Sequence, residues 1–375
     1  MKPRICFFVT DTYIPYSPTI LGLYRLLSPL FHIDIIMYYP NIKKFHEINI
    51  DIQFLSLKPK KFDLSFQIYK RLLRKNSKEK LSYNDYILVR ELRESIKKKK
   101  YVFIIAVDIY ALYIVQKSYD GPIHFISLEL HYHTHMINKI DPTKISSILI
   151  QRRDRYEYLF PNYEIKNIFY VQNTTFYKDI QIDITKRDPY LLLHAGTGQD
   201  IFGIYAILNF IGKYENYKIY LKGSCFPCVK SDIVKLYTDA LQTNRIVIDE
   251  KYESEEKVVD FISNYYIGLC FYDLSIEKAN NFNYLTAPSG KLFKYIAAGV
   301  PVIGNNIPGL SIVEEFRLGV LIPNLSSSSI MSAVEKIKSN YEEYVSNCLS
   351  TAKKLSFDKL ASNYIHFLQS NGMES

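Results

Sequence analysis

Cysteine is scarce in this 375-residue chain: Cys6, Cys225, Cys228, Cys270 and Cys348 are scattered and odd in number. That argues against the paired framework of a secreted, disulfide-stapled domain. Long apolar runs are missing as well. The longest, Tyr101 to Val115, contains Asp108 and is too short to cross a bilayer. The opening residues run straight into a strand-like segment, without the extended apolar stretch and small-residue cleavage site of a signal peptide. No short-period repeat occurs, and low complexity is confined to Ser326–Ser329. These absences predict a soluble, cytoplasmic protein.

What is present is apolar mass and an uneven charge. Hydrophobic residues make up 48% of the chain, enough for two cores, and the length favours two domains. Residues 1–188 carry 30 Lys and Arg against 19 Asp and Glu, whereas residues 189–375 carry 17 against 19. Fifteen of the basic residues fall between Lys58 and Lys100, including Lys70, Arg71, Arg74, Lys75, Lys78, Arg90, Arg93 and the run Lys97–Lys100. Phe62, Leu64, Phe66, Ile68 and Tyr69 interleave with them. Such a segment fits a solvated helix face or a peripheral contact with an anionic membrane surface through residues 58–100. No nucleic-acid motif accompanies the charge, so nucleic acid is not an expected partner.

Short apolar runs alternate with longer amphipathic ones. Strands are expected at Ile5–Thr10, Ile33–Tyr39, Ile52–Leu57, Val102–Val107, Ile123–Leu128 and Ile168–Gln172. Helices are expected near Thr19–Leu30, Phe62–Arg74, Tyr86–Lys99, Tyr110–Lys117 and Ile145–Leu159. The rhythm restarts after the polar breaker Lys186-Arg187-Asp188-Pro189, with strands at Tyr190–His194, Lys218–Lys222, Arg245–Ile248, Ile267–Tyr272, Val300–Ile303 and Val320–Ile322. Apolar strands alternating with helices imply an α/β chain of parallel sheets covered on both faces. The expected layout is two doubly wound, Rossmann-like domains, 1–185 and 186–350. A terminal helix follows within 351–375, its apolar stripe (Phe357, Leu360, Ala361, Tyr364, Phe367, Leu368) running through Ala352–Gln369.

The most informative stretch is Ala287-Pro-Ser-Gly-Lys-Leu-Phe-Lys-Tyr-Ile-Ala-Ala-Gly-Val-Pro-Val-Ile-Gly304. Ser289 is available as an N-cap, and Gly290 removes a side chain at the first turn. The free amides of a helix start favour an anion, and Lys291 adds a full positive charge beside them. Lys294 lies one turn further on. A strand–loop–helix–strand unit of this kind suits a nucleotide diphosphate, or is simply a well-capped packing helix.

The same stretch resembles the donor region of the GT-B glycosyltransferases, in particular retaining family 4, through Lys291, Tyr295, Ala297, Gly299, Pro301, Val302 and Ile303. Pro308 to Ile322, with Glu314, resembles the family's next element. Leu193 to Gln199, with Gly196, Thr197 and Gly198, resembles its first glycine turn, and Phe169 to Thr174 its interdomain segment. The resemblance implies two domains facing a cleft, a terminal helix crossing back to the first domain, and a nucleotide sugar held mainly by the second. Donor contacts are then expected from Gly196, Thr197, Gly198, Lys222, Ser289, Gly290, Lys291, Lys294 and Glu314. No cofactor or metal is expected, the fixed positive field serving the leaving diphosphate.

The family's paired glutamates would fall at Thr286 and Lys294, neither of them acidic. Either the donor contacts differ in this branch or catalysis has been lost, leaving a non-catalytic carbohydrate-binding or partner-binding subunit. A sugar-nucleotide epimerase on the same fold is a third option. In the first domain the resemblance points to Glu129 and His131 as catalytic candidates, with Asp108 either contacting acceptor hydroxyls or capping the helix that follows. His131, His133 and His135 are closely spaced, but no cysteine or carboxylate spacing supports a metal reading. The Tyr13–Pro18 loop lacks the double glycine of many relatives. Cys225-Phe-Pro-Cys228 has no second pair to close a zinc site. The expected activity is hexosyl transfer from a nucleotide sugar to a glycan or lipid-linked acceptor in bacterial surface polysaccharide synthesis.

Overall fold

A computed structural model of the chain describes residues 2–10, 17–38, 52–55, 64–72, 81–130, 134–180, 182–251, 253–278 and 280–373. The chain divides into two compact units, residues 1–171 with 361–375, and residues 172–360. The polar stretch around residue 185 therefore falls inside the second unit.

In the first unit, seven parallel strands follow one another as β1 (Arg4–Val9), β2 (His32–Tyr38), β3 (Ile52–Leu55), β4 (Phe103–Val107), β5 (Ile123–Ser127), β6 (Ile145–Ile150) and β7 (Ile168–Tyr170). They lie side by side in the order β3-β2-β1-β4-β5-β6-β7. β1 pairs in regular register, with Ile5 facing Ile33 on one side and Phe103 on the other, whereas the β5–β6 register shifts between Ile123 and His124. Every residue of β4 and β5 is buried, because a parallel sheet is covered on both faces and tolerates polarity on neither. His124 is the informative exception. Its Nδ1 lies 2.8 Å from the Ser147 hydroxyl, its ring meets Phe103 and Phe367 edge-on, and burial pulls its pKa down to about 3. Phe169 packs on Tyr364 and Phe367 of the terminal helix.

One expected helix is corrected. Residues 145–159 are not a single helix but strand β6 followed by the Arg153–Leu159 helix. Ile145, Ile148 and Leu149 happen to have helical spacing, yet all are buried in a strand paired with β5 and β7. Short apolar runs carry this ambiguity. The tail differs too: the Tyr341–Lys354 helix ends first, and the terminal helix spans Phe357–Met373.

The second unit repeats the plan with β8 (Leu191–Ala195), β9 (Lys218–Lys222), β10 (Ile246–Asp249), β11 (Ile267–Cys270), β12 (Val302–Asn305) and β13 (Gly319–Ile322), ordered β10-β9-β8-β11-β12-β13. All pairs are parallel. Arg187, read in sequence as part of a linker, is instead a buried clamp. Its guanidinium donates to the carbonyls of Ser263, Ala298 and Gly299 at 2.7 to 3.0 Å and to the Tyr341 hydroxyl at 2.9 Å. Two of those carbonyls end the Gly290–Ala297 helix, where a cation also meets the negative end of the helix dipole. The Tyr341 ring stacks flat on Tyr266, 3.8 Å between centroids. Among the described residues, no helix is long and apolar enough to cross a membrane.

Candidate functional site

In a doubly wound sheet the chain turns to opposite faces on either side of one strand pair, and the crevice at the carboxyl ends of those strands is where ligands bind. In the second unit that switch point lies between β8 and β11. β8 ends at Ala195 and leads into Gly196-Thr197-Gly198, β11 ends at Cys270, and Ser289 and the Gly290–Ala297 helix arrive beside them.

Tyr295 fixes this arrangement. Fully buried, its hydroxyl accepts from the Ala195 amide at 2.8 Å and lies 3.3 and 3.2 Å from the carbonyls of Leu193 and Leu269. Gly268 is required opposite it, since a Cβ there would sit 2.6 Å from the ring. The helix is thus pinned to both strands of the switch point, four residues beyond Lys291.

Lys291 reaches back over the strand ends. Its Nζ is buried, lies 4.7 Å over the Phe202 ring, and has no hydrogen-bond partner among the described residues. Gly196 makes room for it: a Cβ at that position would be 3.3 Å from Lys291 Cε and 3.4 Å from Nζ. Burial pushes the ammonium's pKa down, with the Cys270 thiol acting weakly the other way. His194, fully buried at the end of β8, stays neutral because burial and then the Lys291 charge disfavour its cation. Its Nε2 is 3.2 Å from the Thr197 carbonyl and its Nδ1 has no partner.

Ser289 occupies the N-cap position of the helix, but its side chain makes no capping bond. The amides of Gly290 and Lys291 have no acceptor within the helix, as at any helix start. Asn173 lies beside them, its Nδ2 3.3 Å from where a Gly290 Cβ would be. Ser289, Gly290, Lys291 and the Gly196 turn are therefore brought together.

Other expected donor contacts are placed differently. The amides of Gly196 and Gly198 are spent on the carbonyls of Lys222 and Ser224, both at 2.8 Å. The turn thus borders the site as a wall and does not offer those two amides to an anion. Lys222 is engaged with carboxylates: its Nζ is tied to Asp249 at 2.6 Å and Glu253 at 3.4 Å, so its charge is already neutralised. Lys294 is half-buried on the same helix, and Glu314 is exposed on the Ile312–Glu315 helix. Thr286 donates its hydroxyl to the Phe282 carbonyl at 2.6 Å.

At the switch point of the first unit, between β1 and β4, Asp108 is committed to the backbone. Its Oδ1 accepts from the amides of Leu128 at 2.6 Å and Glu129 at 3.2 Å, and its φ of 65° lies in the left-handed region. The carboxylate thus holds the loop after β5. The fully buried Arg155 donates to the Leu128 carbonyl at 2.9 Å, so both polar groups of Leu128 are gripped by charged side chains. Glu129, half-buried, sits on the segment so held. His131 and His133 lie outside the described residues, as do the side chain of His135 and loop residues 11–16. Cys225 is buried against Gly198 and Cys228 is exposed; both are free thiols.

His194, Cys270 and Phe202 escaped the sequence reading. A buried polar residue closing a strand just before a glycine turn was the available signal for His194.

No protein family matches the sequence, and no curated protein does either. Solved structures do. The Anabaena protein Alr3699/HepE in complex with UDP superposes with a TM-score of 0.70 over 98% of this chain and 100% of its own, at 12% identity. The pneumococcal O-GlcNAc transferase GtfA in complex with UDP and GlcNAc gives 0.65 over 98% and 99%, at 10% identity. A UDP-N-acetylglucosamine 2-epimerase gives 0.62 over 100% and 97%, at 14% identity. The fold is GT-B. At such identities the likeness speaks to architecture, and GT-B scaffolds carry more than one chemistry.

Proposed function

We propose that this GT-B chain is a nucleotide-sugar-dependent glycosyltransferase whose second unit binds the donor diphosphate at Lys291. The observation that carries the reading is the Lys291 ammonium, buried at the switch point without a hydrogen-bond partner among the described residues. A buried charge in that condition is costly, by several kcal/mol, and an anion bound beside it removes the cost. The helix-start amides of Gly290 and Lys291 favour the same charge. The structural neighbours crystallised with UDP support a nucleotide as that anion.

In this reading Ser289, Gly290, Lys291 and Lys294 hold the diphosphate, and Gly196 to Gly198 shape the wall beside it. The chain's own cations, without a divalent metal, stabilise the leaving group. Glu129 and His131 orient the acceptor hydroxyl, and Asp108 only positions Glu129. The reading extends to a hexose as the sugar, to family 4, to a glycan or lipid-linked acceptor in surface polysaccharide synthesis, and to peripheral contact with an anionic membrane.

Calorimetric titration with UDP, GDP, ADP, CMP and dTDP tests it. One nucleotide is expected to bind saturably, and Lys291→Ala to weaken it by tenfold or more, as loss of a charge-assisted contact of about 1.5–3 kcal/mol requires. Binding unmoved by the substitution would sink the assignment. The epimerase among the neighbours favours a second reading, which release of free nucleotide from a UDP-sugar without any acceptor would reveal.

A further inference from the structure

The Leu64–Leu72 and Tyr83–Lys99 helices of the first unit are joined by an aromatic knot. Phe66 meets Tyr83 at 4.9 Å and Tyr86 at 5.3 Å between centroids, and Tyr69 meets Tyr86 at 4.8 Å. Beside the knot opens a cavity of about 400 Å³, within the range of small-molecule sites. One side is apolar, formed by Tyr69, Leu81, Tyr86 and Val89. The other carries Arg90, Arg93, Lys97 and Lys117, with Glu94 as the single acid among the described residues.

The cations differ in how far they are neutralised. Arg90 is paired with Glu91 at 3.0 Å and donates to the Ser65 hydroxyl at 3.2 Å. Lys97 meets Glu94 at 3.4 Å across an exposed gap, a pairing worth little. Arg93 donates to the Lys117 backbone carbonyl, a neutral acceptor that leaves its charge standing. The charges of Arg93 and Lys97 therefore stand at one end of a cavity whose other end is aromatic and aliphatic.

The position separates this cavity from the switch-point site. The Tyr83–Lys99 helix feeds β4, so its basic end, from Arg93 onward, lies toward the amino edge of the sheet. Asp108 and Glu129 follow the carboxyl ends of β4 and β5, at the opposite edge.

We propose that this cavity binds the phosphate group of an amphiphile, with Arg93, Lys97 and Lys117 on the phosphate and the apolar stem against Tyr69, Tyr86 and Val89. The volume admits a headgroup and a few carbons, not a whole acyl chain. The phosphate comes either from a bilayer lipid or from a soluble phosphorylated amphiphile, and the proposal rests on no part of the donor reading.

The full chain is titrated with inorganic phosphate and with dihexanoyl phosphatidate below its micellar concentration. It is then sedimented with phosphatidylcholine vesicles with and without phosphatidate. Dihexanoyl phosphatidate is expected to bind at least tenfold more tightly than inorganic phosphate. Arg93→Ala with Lys97→Ala should weaken it at least tenfold, leaving the unfolding temperature and nucleotide binding unchanged. Tyr86→Ala should narrow the gap to inorganic phosphate. Sedimentation only with phosphatidate vesicles, lost in the double variant, assigns the source to a bilayer; binding of the monomer without sedimentation assigns it to a soluble ligand. The proposal is overturned if no saturable binding of dihexanoyl phosphatidate occurs, if the double variant binds it unchanged, or if inorganic phosphate binds equally well.

Discussion

At the switch point of the first unit the charged side chain at the strand end, Asp108, is consumed by the amides of Leu128 and Glu129. At the switch point of the second unit the charged side chain, Lys291, is buried with nothing to bond among the described residues. The two sheets share one winding pattern, so topology alone does not explain the difference. Asp108 shapes its own loop, whereas Lys291 is held ready by a scaffold that Tyr295 fixes. A charge that the backbone satisfies is part of the fold; a charge that nothing satisfies points to a ligand.

The largest expected effect tests whether commitment is the right distinction. Arg187 is a buried cation of the second unit that, unlike Lys291, makes four hydrogen bonds. Arg187→Met should destabilise by roughly 3–4 kcal/mol in urea unfolding, because it removes the donor to the carbonyls of Ser263, Ala298 and Gly299. Lys291→Met, removing an ammonium that satisfies nothing, should cost no stability. Equal losses in the two variants would erase the comparison.

Asp108 is next in size. Asp108→Ala deletes the acceptor of two buried amides and keeps a Cβ in a left-handed conformation, so about 2–3 kcal/mol should be lost. Asp108→Asn keeps both an acceptor oxygen and tolerance of positive φ, and should cost no more than about 1 kcal/mol. If Asn proves as damaging as Ala while nucleotide binding and folding stay intact, the carboxylate has a role beyond its loop.

Much of this scaffold was legible in sequence because parallel strands covered on both faces are apolar runs with breakers at their ends. Lys218–Lys222 was read residue for residue, and the other strands fall within a residue or two of expectation. Ile145–Ile150 was misread because spacing alone does not separate a short buried strand from a helix turn. The helix start at Ser289–Lys291 was visible through local chemistry. What sequence concealed were the partners: Lys222 finds Asp249 27 residues away, Asp108 finds Leu128 20 residues away, and Arg187 reaches across 112 residues to Gly299. A charge next to a glycine reads the same whether or not a distant side chain will neutralise it.

The smallest expected effect follows from two histidines, one in each unit. His124 and His194 are both buried and neutral, His124 with its pKa drawn down to about 3 and His194 well below the ordinary value. The unfolded chain binds a proton at each near pH 6.5 and the folded chain does not, so the unfolded state gains stability as pH falls. Their contribution is complete above pH 6.5 and is lost progressively below it, by about 2 kcal/mol for His124 at pH 5, with His194 acting in the same direction. A His124→Gln, His194→Gln double variant should therefore lose less stability than the parent between pH 7 and pH 5. Only His194 is held down partly by the Lys291 charge. An anion bound at Lys291 should raise the His194 pKa and recover part of the acid loss in the His124→Gln background, but none in the His194→Gln background. Recovery in both would mean that the anion stabilises the fold without touching the Lys291–His194 pair, and the candidate site would have to move.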